Sequence, residues 1–261
     1  MKKVFTQLLP ALASLLIVAA CGGGDDADDI SDRLANAEPK VRLVHAGVFT
    51  RPLTLTRNGT AVSGASNVAY ANASNYVDVP TGSAEWRVAT DTNAEVGTST
   101  LSTNRGNRYM FVAVPNLSLF GSQAELLAIT DPYDWGLTAA SGRVRVLHAA
   151  ANTTGALDVY LTQNSSDIST RTPNFSGVGY KTANPASGAN SLDFAVGSGT
   201  YTLTITPAGS KSPIFQAPVS LANNADWLVT VLADSIAPND LRVLIVKSDD
   251  SSATQEIANT L

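Results

Sequence analysis

Two stretches of closely similar sequence constrain how this chain folds. The first is Val41-Arg-Leu-Val-His-Ala-Gly47, and the second is Val144-Arg-Val-Leu-His-Ala-Ala150. They carry the only two histidines of the sequence, His45 and His148, which stand 103 residues apart. The unit of a solenoid is roughly 20–50 residues. The longer spacing therefore indicates two copies of one domain.

Short runs of alternating apolar and polar residues follow each copy of the repeat. Val41, Leu43 and His45 fall on one face of a predicted strand, following the period of two. Arg57-Asn-Gly-Thr60 indicates a hairpin turn with an Asn-Gly centre. The same order of runs returns in the second copy, beginning at Leu157-Asp-Val-Tyr-Leu161. This pattern predicts an all-β chain with two tandem immunoglobulin-like β-sandwich domains.

The first 21 residues have the layout of a bacterial export signal. A basic start is followed by an apolar run from Leu8 to Ala20, which is shorter than the about 20 apolar residues of a spanning helix. The run ends Val18-Ala-Ala-Cys21, which resembles the lipobox of bacterial lipoprotein signal peptides. The resemblance implies cleavage before Cys21 and acylation of this cysteine, palmitate included, so that the chain is anchored in a membrane. The alternative is an ordinary secretory signal or a buried free cysteine.

The anchor is followed by an acidic, glycine-rich tract. Gly22-Gly-Gly-Asp-Asp-Ala-Asp-Asp29 predicts a flexible tether. Gly22, in place of an aspartate, resembles the enterobacterial sorting signal for the outer membrane. We therefore expect a lipid anchor in the outer membrane, on either its periplasmic or its surface-exposed side. Without Lys2 and Lys3 the chain has 15 basic and 22 acidic groups, a net charge of −7, which argues against a nucleic-acid partner.

These patterns together predict six segments. They are a lipoprotein signal peptide over 1–20, the acylated cysteine and tether over 21–39, a first sandwich over 40–135, a linker over 136–142, a second sandwich over 143–247 and a polar C-terminal tail over 248–261. The tail lacks a strand pattern, so we expect it to be frayed or to form a short helix. The second copy is longer than the first, and we place its additional residues around Ser165–Asn190.

Several residues of the second copy together resemble a known bacterial family. They are Arg145, His148, Ala149, Asp158, Val159, Tyr160, Gly197, Gly199 and Tyr201, and the pattern is that of the domain-of-unknown-function family 4397 (DUF4397). The resemblance covers about 40–247 and is closer in the second copy, because the first has Thr54 in place of the aspartate. It implies a secreted or surface-anchored β-domain, often in tandem, and it implies no activity.

The two histidines are the candidates for a site. His148 could pair with Asp158 on the neighbouring strand as an oriented base, which would make the chain a surface hydrolase. In the structural interpretation, each imidazole instead satisfies buried backbone groups through both ring nitrogens. We favour this interpretation for His45 and His148, because the sequence contains no Gly-x-Ser-x-Gly elbow beside which the pair would act.

The remaining motifs favour binding over catalysis. No group of histidines and cysteines has ligand spacing, so the sequence predicts neither a metal nor another cofactor. We expect a non-enzymatic envelope lipoprotein that binds a glycan or a protein, with the Ser165–Asn190 loop as the preferred contact region. A hydrolase that uses His148 and Asp158 is the alternative, and a purely structural module is the third hypothesis.

Overall fold

The computed structural model describes most of the chain after the predicted tether. The described residues are 33–47, 51–92, 94–115, 124–132, 141–153, 155–195, 200–234, 240–247 and 254–261. The predicted signal peptide, Cys21 and most of the predicted linker lie outside these ranges, as do Gly197 and Gly199. Within the described ranges, no helix is both long enough and apolar enough to cross a membrane.

Strands β1–β8 build a first β-sandwich. They are β1 (Lys40–His45), β2 (Leu53–Arg57), β3 (Thr60–Ala61), β4 (Val77–Asp78), β5 (Gly82–Thr90), β6 (Glu95–Thr103), β7 (Asn107–Pro115) and β8 (Ala124–Pro132). Their two sheets have the strand orders β4-β1-β7-β8 and β3-β2-β5-β6. The β2–β3 hairpin turns at Asn58 and Gly59, whose φ angles of 50° and 80° agree with the predicted Asn-Gly turn.

Strands β9–β18 build a second β-sandwich. They are β9 (Ser141–His148), β10 (Leu157–Gln163), β11 (Phe175–Val178), β12 (Ala183–Asn184), β13 (Leu192–Ala195), β14 (Tyr201–Pro207), β15 (Phe215–Val219), β16 (Asp226–Ala233), β17 (Leu241–Lys247) and β18 (Thr254–Ala258). One sheet has the order β11-β10-β14-β15, and the other has the order β12-β9-β16-β17-β18, with β13 also paired to β9. The prediction of an all-β chain is confirmed.

The sequence repeat is also present in the strand pairing. Strand β1 runs parallel to β7 with Val41 opposite Tyr109, and β9 runs parallel to β16 with Val144 opposite Trp227. Strands β2 and β10 pair antiparallel with β5 and β14 respectively. Equivalent positions of the two sandwiches can therefore be read directly from the register.

Each sandwich encloses an apolar core of its own. In the first, Trp86 is fully buried against Phe111, with ring centroids 4.6 Å apart. In the second, Phe175, Phe215 and Trp227 are among the buried residues that fill the space between the two sheets. Burial of such side chains contributes roughly 1.5–3 kcal/mol each, so each sandwich has its own source of stability.

Strands β1 and β9 are buried on both faces. Val41 and Leu43 point into the core of the first sandwich, whereas Val44 points outward into a third core. This third core lies where the β1 sheet packs against the β9 sheet, and we call it the junction. Its apolar residues include Val44, Met110, Val112, Val114, Leu147, Leu228, Leu244 and Val246. The two sandwiches are therefore in direct contact through one face each.

The structure corrects the prediction for the C-terminal tail. Thr254–Ala258 is not frayed and does not form a helix, since it pairs antiparallel with β17. Ile257 is buried in the second core. Beyond the strand, the Asn259 side chain accepts a hydrogen bond from Gln216 N at 3.0 Å, which ties the tail to β15 in the opposite sheet.

The end of the predicted flexible tether is docked on the first sandwich. Arg105 Nη1 donates to Asn36 O at 2.8 Å, and the same guanidinium pairs with the carboxylate of Glu38. Val79 N donates to Pro39 O at 3.0 Å. These bonds satisfy backbone groups of the segment, so the part of the tether that the structure describes is ordered against the body.

Candidate functional site

Both ring nitrogens of His148 face the main chain. Nε2 lies 3.1 Å from Gly155 O, and Nδ1 accepts a hydrogen bond from Ala150 N at 3.3 Å. Because Nδ1 accepts, Nε2 carries the proton and donates it to the carbonyl. The side chain is fully buried, and burial lowers the pKa of His148 below its ordinary value of 6.5.

His45 has the same arrangement in the first sandwich. Its Nε2 lies 3.1 Å from Arg51 O, and its Nδ1 accepts a hydrogen bond from Gly47 N at 3.3 Å. The side chain is fully buried. Each imidazole thus ties the end of its strand to the loop that follows. This geometry is that of a structural histidine and leaves no ring nitrogen directed at a substrate.

A tyrosine packs edge-on against each histidine. The His45 and Tyr70 ring centroids are 6.1 Å apart, and those of His148 and Tyr180 are 5.6 Å apart. The residue after each tyrosine has a φ of 60° and donates its N–H to the carbonyl of the histidine. Left-handed backbone costs about 1–2 kcal/mol for residues other than glycine, so this hydrogen bond holds a strained turn. The sequence pattern did not predict the repeated tyrosine.

Asp158 is not a partner of His148. Its Oδ1 accepts a hydrogen bond from Gly177 N, and its Oδ2 accepts one from Gly209 N, both at 2.8 Å. The carboxylate therefore fixes an irregularity in the pairing of β10 with β11 at Gly177 and a turn at Gly209, both glycines having positive φ. Because the two side chains bond to different backbone groups, the geometry gives no support to the hydrolase alternative.

The Ser165–Asn190 segment is partly used inside the protein. Its residues Phe175–Val178 form β11, and Ala183–Asn184 form β12. Ser187 Oγ accepts a hydrogen bond from Thr130 N, and Gly188 N donates to Thr130 O, both at 2.8 Å. Only a part of the predicted contact region is therefore open to an external partner.

A buried cluster of charges crosses the junction. We call Arg108, Asp131, Arg143, Arg145 and Asp226 the junction ion cluster. Arg108 Nη2 lies 2.6 Å from Asp131 Oδ2 and 2.8 Å from Asp226 Oδ2. Arg143 Nη2 lies 3.0 Å from the same Asp226 oxygen. Burial raises the pKa of Asp131 in spite of the arginines beside it, so desolvation opposes the gain from ion pairing.

Arg145 of this cluster and Arg42 beside it donate hydrogen bonds to carbonyl groups. Arg145 Nη1 donates to Pro185 O and Ala186 O, both at 2.7 Å. Arg42 donates to Ser74 O at 2.9 Å, and its guanidinium carbon lies 4.5 Å from the centre of the Tyr76 ring. The sequence signal for these two arginines was their place in the repeat, since both copies carry an arginine three residues before the histidine.

A cleft opens beside the junction ion cluster. This junction cleft has a volume of about 270 Å³, and its lining includes Ala128, Leu147, Lys181, Ala183, Ala186 and Ser187. The Lys181 ammonium pairs with Glu125 across the junction. The N–H and C=O of Thr130 point away from β7 toward residues 187 and 188, and Ala128 has the same orientation in the strand. The cleft thus combines apolar side chains with a strand edge.

A second hollow lies on the flank of the first sandwich. It has a volume of about 420 Å³ and is bounded by residues that include Arg57, Asp78 and Pro80. Arg57 Nη2 donates to Pro80 O at 3.2 Å, so one nitrogen of this guanidinium is already bonded within the protein. Among the described residues, no group of three or more His, Cys, Asp or Glu side chains is arranged to hold a metal ion.

The comparisons with known proteins agree with part of these findings. The family model "Domain of unknown function (DUF4397)" matches residues 39–160, which confirms the resemblance over the first sandwich and the start of the second. No curated protein matches the sequence.

Two solved structures show weak likeness to the chain. One is a family 41 carbohydrate-binding module from streptococcal virulence factors that recognises alpha-glucan, with 12% identity, a TM-score of 0.26 and coverage of 78% of this chain and 96% of that one. The other is a candidate adhesin from Bacteroides ovatus, with 8% identity, a TM-score of 0.25 and coverage of 86% and 96%. At these TM-scores neither likeness carries an argument about function.

Proposed function

We propose that this chain is a lipid-anchored envelope protein whose two sandwiches form one rigid, non-enzymatic binding module. The observation that carries this proposal is the junction. Charged and apolar contacts between the β1 and β9 sheets join the sandwiches, and the junction cleft lies between surfaces contributed by both. A site of this kind is preorganised, which favours binding because less ordering is needed when a ligand arrives.

The junction cleft is the better of the two hollows as a contact site. Ligand pockets measure about 300–1,000 Å³ and combine apolar walls with a few polar groups. At about 270 Å³ the cleft falls just below this range, whereas the second hollow, at about 420 Å³, falls within it. We prefer the cleft because both sandwiches line it and because it overlaps the Ser165–Asn190 segment at residues 181–187. We infer that it takes a small part of a larger ligand, such as one unit of a glycan or one residue of an extended peptide.

The anchor is tested by replacing Cys21 with Ala. We expect the variant to lose incorporation of labelled palmitate and to keep its uncleaved signal peptide, because the acylated sulfur and the cleavage site before it are both removed. Gly22→Asp is the matched control, which should keep the label. If Cys21→Ala still incorporates the label, the proposed anchor is wrong.

The cleft is tested by thermal-shift screening of a chain without the anchor, from residue 22, against peptidoglycan fragments, oligosaccharides and short peptides. A ligand present at 100 times its Kd should stabilise the protein by about 2.7 kcal/mol. Ala186→Trp should fill the cleft from an exposed position and remove the shift. Ala189→Trp, at an exposed position in the same loop, is the control that should keep it.

The two variants separate the alternatives. If Ala186→Trp still shows the shift of the unmodified protein, binding occurs elsewhere and the proposed site is wrong. If no compound of the panel shifts the melting temperature, the binding role loses its support and a purely structural spacer is favoured.

A further inference from the structure

The junction joins the same face of both sandwiches. Arg42 and Arg145 hold equivalent positions in the two copies of the repeat. Arg42 Nη1 donates across the junction to Lys247 O at 3.0 Å. In the reverse direction, Arg145 Nη2 lies 3.4 Å from Asp131 Oδ1. Each arginine reaches the opposite sandwich, which is the reciprocity of an isologous dimer.

The repeated tyrosines also face the opposite sandwich, although they meet strands that are not equivalent. Tyr180 of the second sandwich donates its hydroxyl to Pro115 O of the first at 3.4 Å. Tyr70 of the first sandwich lies near Glu256 of the second: burial, and after it the charge of Glu256, raises the pKa of Tyr70 to about 12. The two sandwiches are therefore related as two subunits would be, although they belong to one chain.

One pair of equivalent residues carries opposite charges and meets at the junction. Arg108 in β7 is opposite Lys40 in β1, and Asp226 in β16 is opposite Arg143 in β9. Because Lys40 and Arg143 are equivalent in the repeat, Arg108 and Asp226 are equivalent as well. Arg108 Nη2 and Asp226 Oδ2 are 2.8 Å apart, and the two side chains are only 11% and 9% exposed. Two identical sandwiches in this arrangement would bring two arginines or two aspartates together, which is strongly disfavoured at low exposure.

We propose that the junction face is a docking surface for a second domain of this same repeat, and that Arg108 and Asp226 select the unlike copy. A first sandwich thus docks on a second sandwich and rejects another first sandwich. Specificity of this type comes from a repulsive element that acts against the wrong partner as well as from attraction to the right one.

The test uses the mature chain with a protease site inserted within residues 133–140 and cut after folding. Two preparations that carry different tags on the first sandwich are cut, mixed and captured through one tag. We expect the captured first sandwich to bring down second sandwiches and to leave behind first sandwiches with the other tag. Halves that separate after cleavage, or capture of like and unlike halves to the same extent, would overturn the proposal.

Charge variants test the selecting pair. Arg108→Asp places a third carboxylate beside Asp131 and Asp226. The repulsion should weaken the association of the cut halves about a hundredfold. The same change combined with Asp226→Arg should recover at least about tenfold of this loss. Arg51→Asp, in an exposed pair with Asp91, is the control and should leave association unchanged.

A second measurement covers variants whose cut halves do not fold. In the uncut chain, the double variant should melt at a higher temperature than either Arg108→Asp or Asp226→Arg alone, because only the double variant restores an opposite-charge pair. If the double variant melts no higher than the less stable of the two single variants, the selecting role of the pair is refuted.

Discussion

Replacing Asp226 by Ala should lower the free energy of unfolding by about 3–5 kcal/mol, the usual cost of breaking a buried ion pair from one side. The change removes the carboxylate that Arg108 and Arg143 share at 2.8 and 3.0 Å. Both guanidinium groups stay in a site that is almost closed to water. Urea unfolding followed by the fluorescence of the buried Trp86 and Trp227 measures the change.

A matched variant separates burial from charge in this prediction. Asp91→Ala removes a carboxylate from the exposed pair with Arg51, whose side chains are 42% and 63% exposed respectively. Exposed ion pairs contribute about 0–1 kcal/mol, so the control should differ little from the unmodified protein. A loss in Asp226→Ala no larger than that in Asp91→Ala would mean that the junction is not held by its ion cluster.

The effect of removing both partners bears on why a buried pair is present at all. Replacing a whole buried group of ion pairs by apolar residues is often neutral or stabilising, whereas Arg108→Leu combined with Asp226→Leu would leave Asp131 and Arg143 buried without these partners. We therefore attribute the choice of partner, and not the net stability of the fold, to this pair. This agrees with the position of Arg108 and Asp226 at equivalent places in the two strands.

The alternation of residues in the repeat correctly predicted which β1 side chains share a face, but it did not predict what covers each face. Val41 and Leu43 lie in the first core, and Arg42 and Val44 lie on the opposite face. An arginine on a strand normally indicates solvent, since charged residues are almost never fully buried unless paired. Here carbonyl groups and a tyrosine ring surround Arg42. Periodicity indicates a direction, whereas the groups that cover Arg42 lie between 32 and 205 residues away in the chain.

The C-terminal strand shows a second limit of periodicity. In Thr254–Ala258 only Ile257 enters the core, and its neighbours in the strand are partly or largely exposed. A single apolar residue produces no alternation, so the segment read as a polar tail. What orders it is the open edge of β17, which supplies main-chain partners from Arg242 to Val246.

The repeated tyrosine escaped detection because the spacing between the copies is not constant. The separation is 103 residues at the histidines and 110 residues at Tyr70 and Tyr180. An alignment at fixed spacing therefore places Tyr70 against an unrelated residue. The sequence did predict that backbone groups would occupy the histidine nitrogens, but only the structure identifies them as the loop after each strand.

Replacing His148 by Ala should cost about 3 kcal/mol of stability. The buried N–H of Ala150 loses its acceptor, which costs about 1–3 kcal/mol, and the empty volume of the imidazole adds a cavity term. The carbonyl of Gly155 is at an exposed residue and can be hydrated. His148→Gln is the matched variant, because its amide keeps a donor near Gly155 O while losing the ring, and it should be less destabilised.

The unmodified protein and His148→Gln also test how stability depends on pH. The pKa of folded His148 is lowered below 6.5, so the unfolded chain binds more protons at this residue between the lowered value and 6.5. Stability should therefore rise with pH through this window and fall as the pH is lowered below about 6.5. Protonation would also turn Nδ1 into a donor facing the donor Ala150 N. Urea unfolding from pH 8 to 5 should show a steeper loss in the unmodified protein than in His148→Gln, whereas parallel profiles would contradict a buried neutral imidazole.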